Sequence, residues 1–207
     1  MDLATTLNKS STVLLVVDKQ AGYFNPQLVK ERYQSLPDNS NATLEAMDRF
    51  IEDARAAEIE VVWTQMVEDV QQSPLPISEI MRNDPEGVGS ITKPGDPSFE
   101  IYGRVVPLPG EKVITKYRYD AFSKTDLAEY LKSLGAKTVI LIGGYASRCV
   151  LSSVVGANGE DLFCVVPRGL VLNQKIVEHE VETLYSIVNA IFGLTPNPDD
   201  ILSAWTK

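Results

Sequence analysis

An acid, a base and a thiol stand at the ends of three β-branched runs. Asp18 closes TVLLVVD, Lys116 closes KVITK, and Cys149 follows the turn GGYASRC that leaves TVILIG. In open parallel α/β sheets, ligands bind beyond the carboxyl ends of the strands, so the three side chains would meet at one edge. Each has an ordinary alternative: an aspartate as a cap, a lysine in solvent, a cysteine as a small core filler. Their coincidence on strand ends is what points to chemistry. Gly143-Gly144 allows backbone angles closed to other residues, and a helix starting near Ser147 places Cys149 in or near its first turn. There the helix dipole and a nearby Lys116 ammonium favour a thiolate, and the same N–H groups suit an oxyanion formed when sulfur attacks a carbonyl. The pattern suits acyl transfer.

The other titratable candidates are weaker. Cys164 lies inside the apolar run LFCVV and reads as core. His179, the single histidine, is two positions from both Val177 and Val181. That puts it roughly 200° around the helix from the buried stripe, facing solvent. The general acid/base therefore falls to Asp18, whose protonation is coupled to the thiol and the lysine. The first strand runs into Asp18-Lys19-Gln20-Ala21-Gly22, not a G-x-G-x-x-G turn, and neither a phosphate loop nor a G-x-S-x-G elbow occurs.

The elements that must carry these groups alternate between β and helical periods. Strands are predicted at 12–17, 59–64, 112–115, 138–143 and 162–166, with a short sixth at 192–195. Leu44, Met47, Ile51 and Ala54 form one helical stripe. A second, Leu127, Leu131 and Leu134, is opened by a capping-box-like Ser123-Lys124-Thr125-Asp126 and closed by Gly135. Val177, Val181, Leu184, Val188 and Ile191 form a third. The expected fold is a three-layer α/β/α, Rossmann-like domain with a mainly parallel sheet of about six strands, one domain over 1–207. Residues 65–111 interrupt the rhythm, with seven of the twelve prolines between Pro74 and Pro109 and a turn of helix at Ile77 to Arg82. Because that stretch also carries Phe99, Ile101, Tyr102, Val105 and Val106, it reads as a packed excursion walling a pocket rather than a linker.

Composition narrows the partners. A chain of 207 residues that is 44% hydrophobic can bury a full core. No run of about 18 uncharged apolar residues occurs, and MDLATTLNKS has no signal-peptide pattern, so a cytoplasmic protein is expected. Net charge of −9 without a long basic run disfavours nucleic acid and anionic membrane as partners. Two cysteines and no paired Cys/His spacing suggest neither a disulfide framework nor zinc.

At these residues the chain resembles the isochorismatase-like cysteine hydrolase superfamily, over roughly Ser11 to Leu202. The family's Asp-x-Gln looks like Asp18-Lys19-Gln20, its Lys followed by Ala-Phe looks like Lys116 and Ala121-Phe122, and its Gly-rich turn ending in Cys-Val looks like Gly143 to Val150. The resemblance implies a six-stranded, mainly parallel sheet and a triad of Asp18, Lys116 and Cys149. It further implies a cis peptide at Gly144-Tyr145, an oxyanion hole from the N–H groups of Tyr145 and Cys149, and assembly into homodimers or homotetramers. Two departures matter. Ala146 stands where the family often has Thr, and Trp63-Thr64-Gln65-Met66-Val67-Glu68-Asp69 lacks the histidine of the nicotinamidase metal cluster. No metal or other cofactor is therefore expected, and the N-carbamoylsarcosine and ureidoacrylate amidohydrolases are nearer than nicotinamidases.

The implied activity is cleavage of a C–N amide or ureido bond in a small molecule through a thioester. The alternatives are a vinyl ether hydrolase, against which Cys149 argues, and a catalytically idle binding or assembly member. By position, the pocket is rimmed by Tyr23, Phe24, Trp63, Tyr117, Tyr119, Phe122, Tyr145 and Arg148, with Gln20 beside Asp18 as a further substrate-binding residue. Arg118 or Arg148 would suit a substrate carboxylate.

Overall fold

The computed structural model describes residues 3–29, 36–85 and 92–206. Its strands are β1 (Thr12–Val17), β2 (Glu60–Met66), β3 (Lys112–Lys116), β4 (Thr138–Gly144), β5 (Phe163–Val165), β6 (Val171–Leu172) and β7 (Gly193–Leu194). They form one sheet in the order β3-β2-β1-β4-β5-β7, with β6 alongside the end of β4. Every pairing within it is parallel. The α-helices are α1 (Leu3–Thr6), α2 (Ala21–Phe24), α3 (Ser40–Ala56), α4 (Leu75–Asn83), α5 (Leu127–Ser133), α6 (Leu151–Gly159), α7 (Glu180–Ile187) and α8 (Pro198–Trp205).

The central strands are continuous apolar runs because both of their faces are covered: every residue of β1 and β4 is buried. Side chains alternate between the faces. Leu14 and Val16 join Ile140 and Ile142 beneath α3 and α8, where Met47, Phe50, Ile51 and Trp205 complete one core. Val13, Leu15 and Val17 face the other way, with Val139 and Leu141, against Leu127, Leu131, Val154 and Leu184 of α5, α6 and α7. The architecture is therefore three-layer α/β/α. The chain winds one way from β1 through β2 to β3, and the other way through β4 and β5. The crevice between the carboxyl ends of β1 and β4 is thus the switch point at which such folds bind ligands.

Three expectations about helices need correction. Leu134 is 38% exposed, as the C-cap of α5, while Gly135 closes that helix at φ +68°. The Ser123 to Asp126 segment is not a reciprocal box: the Thr125 hydroxyl accepts from Leu127 N–H and donates to the Ala121 carbonyl, and Asp126 pairs with Lys112 at 2.6 Å. Ile191 is 71% exposed because α7 passes into a π-helical turn, Val188–Phe192, which adds a residue per turn and rotates the stripe out of register.

Within the excursion, residues 86–91 lie outside the described residues. It holds α4 and a 3₁₀ turn at Pro97–Phe99, and Val105 is buried while Val106 is 46% exposed. The two residues after Asp18 fasten it. Lys19 is fully buried: its ammonium pairs with Asp48 at 2.7 Å and donates to the carbonyls of Tyr102 and Val105 at 2.5 and 2.9 Å. Gln20 donates to the carbonyls of Met66 and Phe99 and accepts from Met66 N–H, all within 3.1 Å. Gln20 is therefore a clamp between strand and excursion, not a substrate contact. Among the described residues, no helix is long and apolar enough to cross a membrane.

Candidate active site

The turn after β1 holds Asp18 at φ +47°, unusual for a residue with a side chain, and buries it completely. Its backbone N–H donates to the Thr64 hydroxyl at 3.1 Å, and that hydroxyl donates to Asp18 Oδ1 at 2.5 Å. Lys116, the last residue of β3, reaches past the end of β2 to Asp18 Oδ2 at 2.6 Å. The same Nζ lies 3.3 Å from Cys149 Sγ and donates to the carbonyls of Arg118 and Tyr119 at 3.1 and 3.3 Å. This ring of acceptors is what permits a fully buried ammonium. Burial opposes its charge, yet Asp18 and Cys149 outweigh burial and hold the Lys116 pKa above its ordinary value.

The segment Gly143 to Val150 delivers the thiol. Gly143 has φ +119°, and a Cβ there would stand 2.1 Å from the Val17 carbonyl oxygen, so only glycine lets β4 and the end of β1 come so close. The Gly144–Tyr145 peptide is cis, the position the family resemblance implies. Tyr145 is fixed by a hydrogen bond from its hydroxyl to the Tyr23 carbonyl at 2.9 Å, with the two rings edge-on at 5.5 Å. The chain then enters a π-helical turn, Ala146–Val150, that runs on into α6, so Cys149 sits in the first turn. Ala146 is fully buried and supplies no hydroxyl; the hydroxyl on the aspartate comes from Thr64 instead.

Burial works against the expected thiolate and pushes the Cys149 pKa well above its ordinary value; Lys116 opposes that shift, while the charge and hydrogen bonding of Asp18 reinforce it.

A narrow cavity opens over the sulfur, lined by Tyr23, Glu68, Tyr119, Gly144, Tyr145, Arg148 and Cys149. Of the expected rim residues, Tyr23, Tyr119, Tyr145 and Arg148 are there. Arg148 is exposed at the mouth and donates to Gln174 Oε1 at 3.0 Å. Trp63 is not: β2 is covered on both faces, and the indole N–H donates to Glu111 Oε2 at 2.7 Å within the core. Phe122 packs in the opposite core, and Phe24 lies behind the turn, where its ring would meet a Cβ on Gly144 at 3.1 Å. Tyr117 and Arg118 do not line the cavity; Tyr119 does. Cys164 is core, its thiol 3.6 Å from the Val154 carbonyl, and His179 is exposed.

Two site residues escaped the sequence reading. Glu68 stands two residues past β2, and a polar residue just beyond a strand end is the same signal that marks the triad. Thr64 was read simply as strand. Thr64→Val is expected to destabilise the fold by about 1.5–3 kcal/mol, the worth of a hydrogen bond to a charged group, and Thr64→Ser to recover most of that loss in urea denaturation. Among the described residues, no group of three His, Cys, Asp or Glu side chains is placed to hold a metal ion.

Asp18, Lys116 and Cys149 thus meet at the switch point of an α/β/α sheet. The family model "Isochorismatase domain" matches residues 12–181, and the chain belongs to that family of hydrolases. A probable isochorismatase of Pseudomonas chlororaphis is 40% identical over 76 residues, which cover 37% of this chain and only 36% of that protein. Among solved structures, a cysteine hydrolase from Pseudomonas syringae superposes with a TM-score of 0.81 at 16% identity, covering 97% of this chain and 95% of that one. An N-carbamoylsarcosine amidase from Thermoplasma acidophilum gives 0.71 at 21%, covering 90% and 95%. An isochorismatase-like hydrolase from Alkaliphilus metalliredigens gives 0.77 at 20%, covering 94% and 99%. At these identities the likeness is one of fold.

Proposed function

We propose that this protein is a cysteine amidohydrolase that cleaves a C–N amide or ureido bond of a small molecule. The observation that carries the reading is a single buried ammonium, Lys116 Nζ, 2.6 Å from Asp18 and 3.3 Å from Cys149 at the floor of a small cavity. In this reading Cys149 Sγ attacks the substrate carbonyl carbon as Asp18 takes the thiol proton. Backbone N–H groups of Tyr145 and Cys149 receive the developing oxyanion. The C–N bond then breaks as Asp18 passes the proton to the leaving nitrogen, leaving a thioester. Water attacks that thioester with Asp18 accepting its proton; the C–S bond breaks, and the proton returns to sulfur. Lys116 offsets the charge of Asp18 and Cys149 throughout.

The amidase among the fold relatives agrees with this reading, and a cysteine at the ammonium favours it over vinyl ether cleavage, which calls for no nucleophilic thiol. Its test is a panel of small amides and ureides, read by release of ammonia or amine. The expected result is turnover of at least one compound with an acyl adduct on the Cys149 peptide, trapped by acid quench and seen by mass spectrometry. Turnover with no adduct, and undiminished in Cys149→Ala, would sink the thiol route. Assembly into homodimers or homotetramers belongs to the same proposal and is read by sedimentation.

A further inference from the structure

Glu68 is a cavity-lining group with no part in the reaction above. Its Oε1 accepts from the Tyr23 hydroxyl at 3.4 Å, and that hydroxyl lies 3.4 Å from Thr92 Oγ1. Among the described residues, its buried Oε2 has no hydrogen-bond partner. An unpaired buried carboxylate oxygen is costly, so this atom calls either for a proton or for a ligand. The groups acting on its charge come from every neighbouring element. Tyr23 belongs to α2, Arg148 to the π turn, Lys116 to β3, and Asp18 to the turn after β1. Tyr119, Tyr145 and Cys149 share the cavity with it.

Burial outweighs the Tyr23 hydrogen bond and the attraction of Arg148 and Lys116, and pushes Glu68 up to about 8. Its proton then has one place to go. Oε1 already accepts from Tyr23, whose own pKa is raised well above the ordinary value by burial, so that phenol stays a donor. That leaves Oε2 as the oxygen to carry a proton, with no acceptor for it among the described residues.

Resting on the amide reading of the site, we propose that Glu68 is the specificity-determining residue of this cavity. As a neutral acid, it donates from Oε2 to an uncharged acceptor oxygen of the substrate and discriminates against cationic analogues. The chemistry selected is a carbonyl-bearing group of an amide or ureide, as opposed to an amidine or guanidine of the same shape. A carboxylate in the same place would have the opposite preference.

Acetamide and acetamidinium are isosteric and differ in that acceptor and that charge. Each is tested for protection of Cys149 against methyl methanethiosulfonate, at about pH 6.5 and about pH 9.5, on either side of the transition. Acetamide is expected to slow modification of the native protein at the lower pH and to lose about tenfold in affinity at the higher; acetamidinium protects only at the higher. Glu68→Gln keeps a donor on a neutral group, so acetamide protection should persist and become independent of pH. Glu68→Ala should lose about tenfold at both. The inference is overturned if acetamidinium is the better ligand at the lower pH, if Glu68→Gln is as impaired as Glu68→Ala, or if acetamide protects nowhere.

A second measurement needs no ligand. In the unfolded chain Glu68 titrates near 4.5, and in the folded chain near 8. Between these values the native state holds a proton that the unfolded chain has lost. The stability of the native protein relative to Glu68→Gln must therefore fall as pH rises through that window and level off above it. A urea midpoint difference that stays flat across the window overturns the neutral acid. Protection and urea midpoints are read without turnover, so a failure of the amide reading, seen as no adduct on Cys149, remains separate from a failure here.

Discussion

Replacing Asp18 with asparagine is expected to move two properties of Cys149 in opposite directions. Turnover should fall by about 10²–10⁴-fold, the range for loss of a positioned general acid/base. That corresponds to about 3–5 kcal/mol of barrier. Thiol reactivity should rise. The Asp18 charge and hydrogen bond help hold the proton on sulfur, while Lys116 pulls the other way. With the carboxylate gone, burial alone opposes Lys116 and the thiol pKa drops. Alkylation by iodoacetamide near neutral pH should then be faster in Asp18→Asn than in the native protein, although catalysis is nearly lost. A variant that lost both would show Asp18 to be structural; one that lost neither would remove it from the mechanism.

The largest expected effect on stability comes from a residue one position further on. Lys19→Met fills much the same space but leaves the Asp48 carboxylate buried without its cation and takes the donor from the Tyr102 and Val105 carbonyls. Breaking a buried pair in this way costs about 3–5 kcal/mol. For a chain of this size that is a fall of roughly 6–20 °C in Tm by calorimetry. The double change Lys19→Met with Asp48→Leu should recover part of it, because no charge is then left unpaired. A Tm within about two degrees of the native value for the single variant would show that the clamp contributes little.

The sequence carried the sheet and triad because both rest on local pattern. TVLLVV and TVILIGG are buried on both faces and read as continuous apolar runs, and Asp18, Lys116 and Cys149 end their strands or follow the next turn. What failed was set by tertiary context. A two-residue strand such as β6 has no period to detect. The π turns at Ala146–Val150 and Val188–Phe192 change the period itself, which carried Ile191 out of its stripe. Size and position suggest Trp63 for the pocket, but it lies mid-strand and its indole turns into the core to Glu111. Dipole and lysine bear on the Cys149 thiol and are visible in sequence, whereas the burial that raises its pKa is not. Glu68 stands just beyond a strand end, as the triad does.

The burial of Trp63 has a practical side. The chain has two tryptophans, Trp63 and Trp205, and both lie in the core beneath α3 and α8, whereas Cys149 packs into the opposite core. Neither indole lines the cavity, whose aromatic lining is Tyr23, Tyr119 and Tyr145, but Tyr23 and Tyr145 belong to the same core as both tryptophans. Indole emission therefore reports the integrity of that core, while ligand entry is read most directly by tyrosine absorbance.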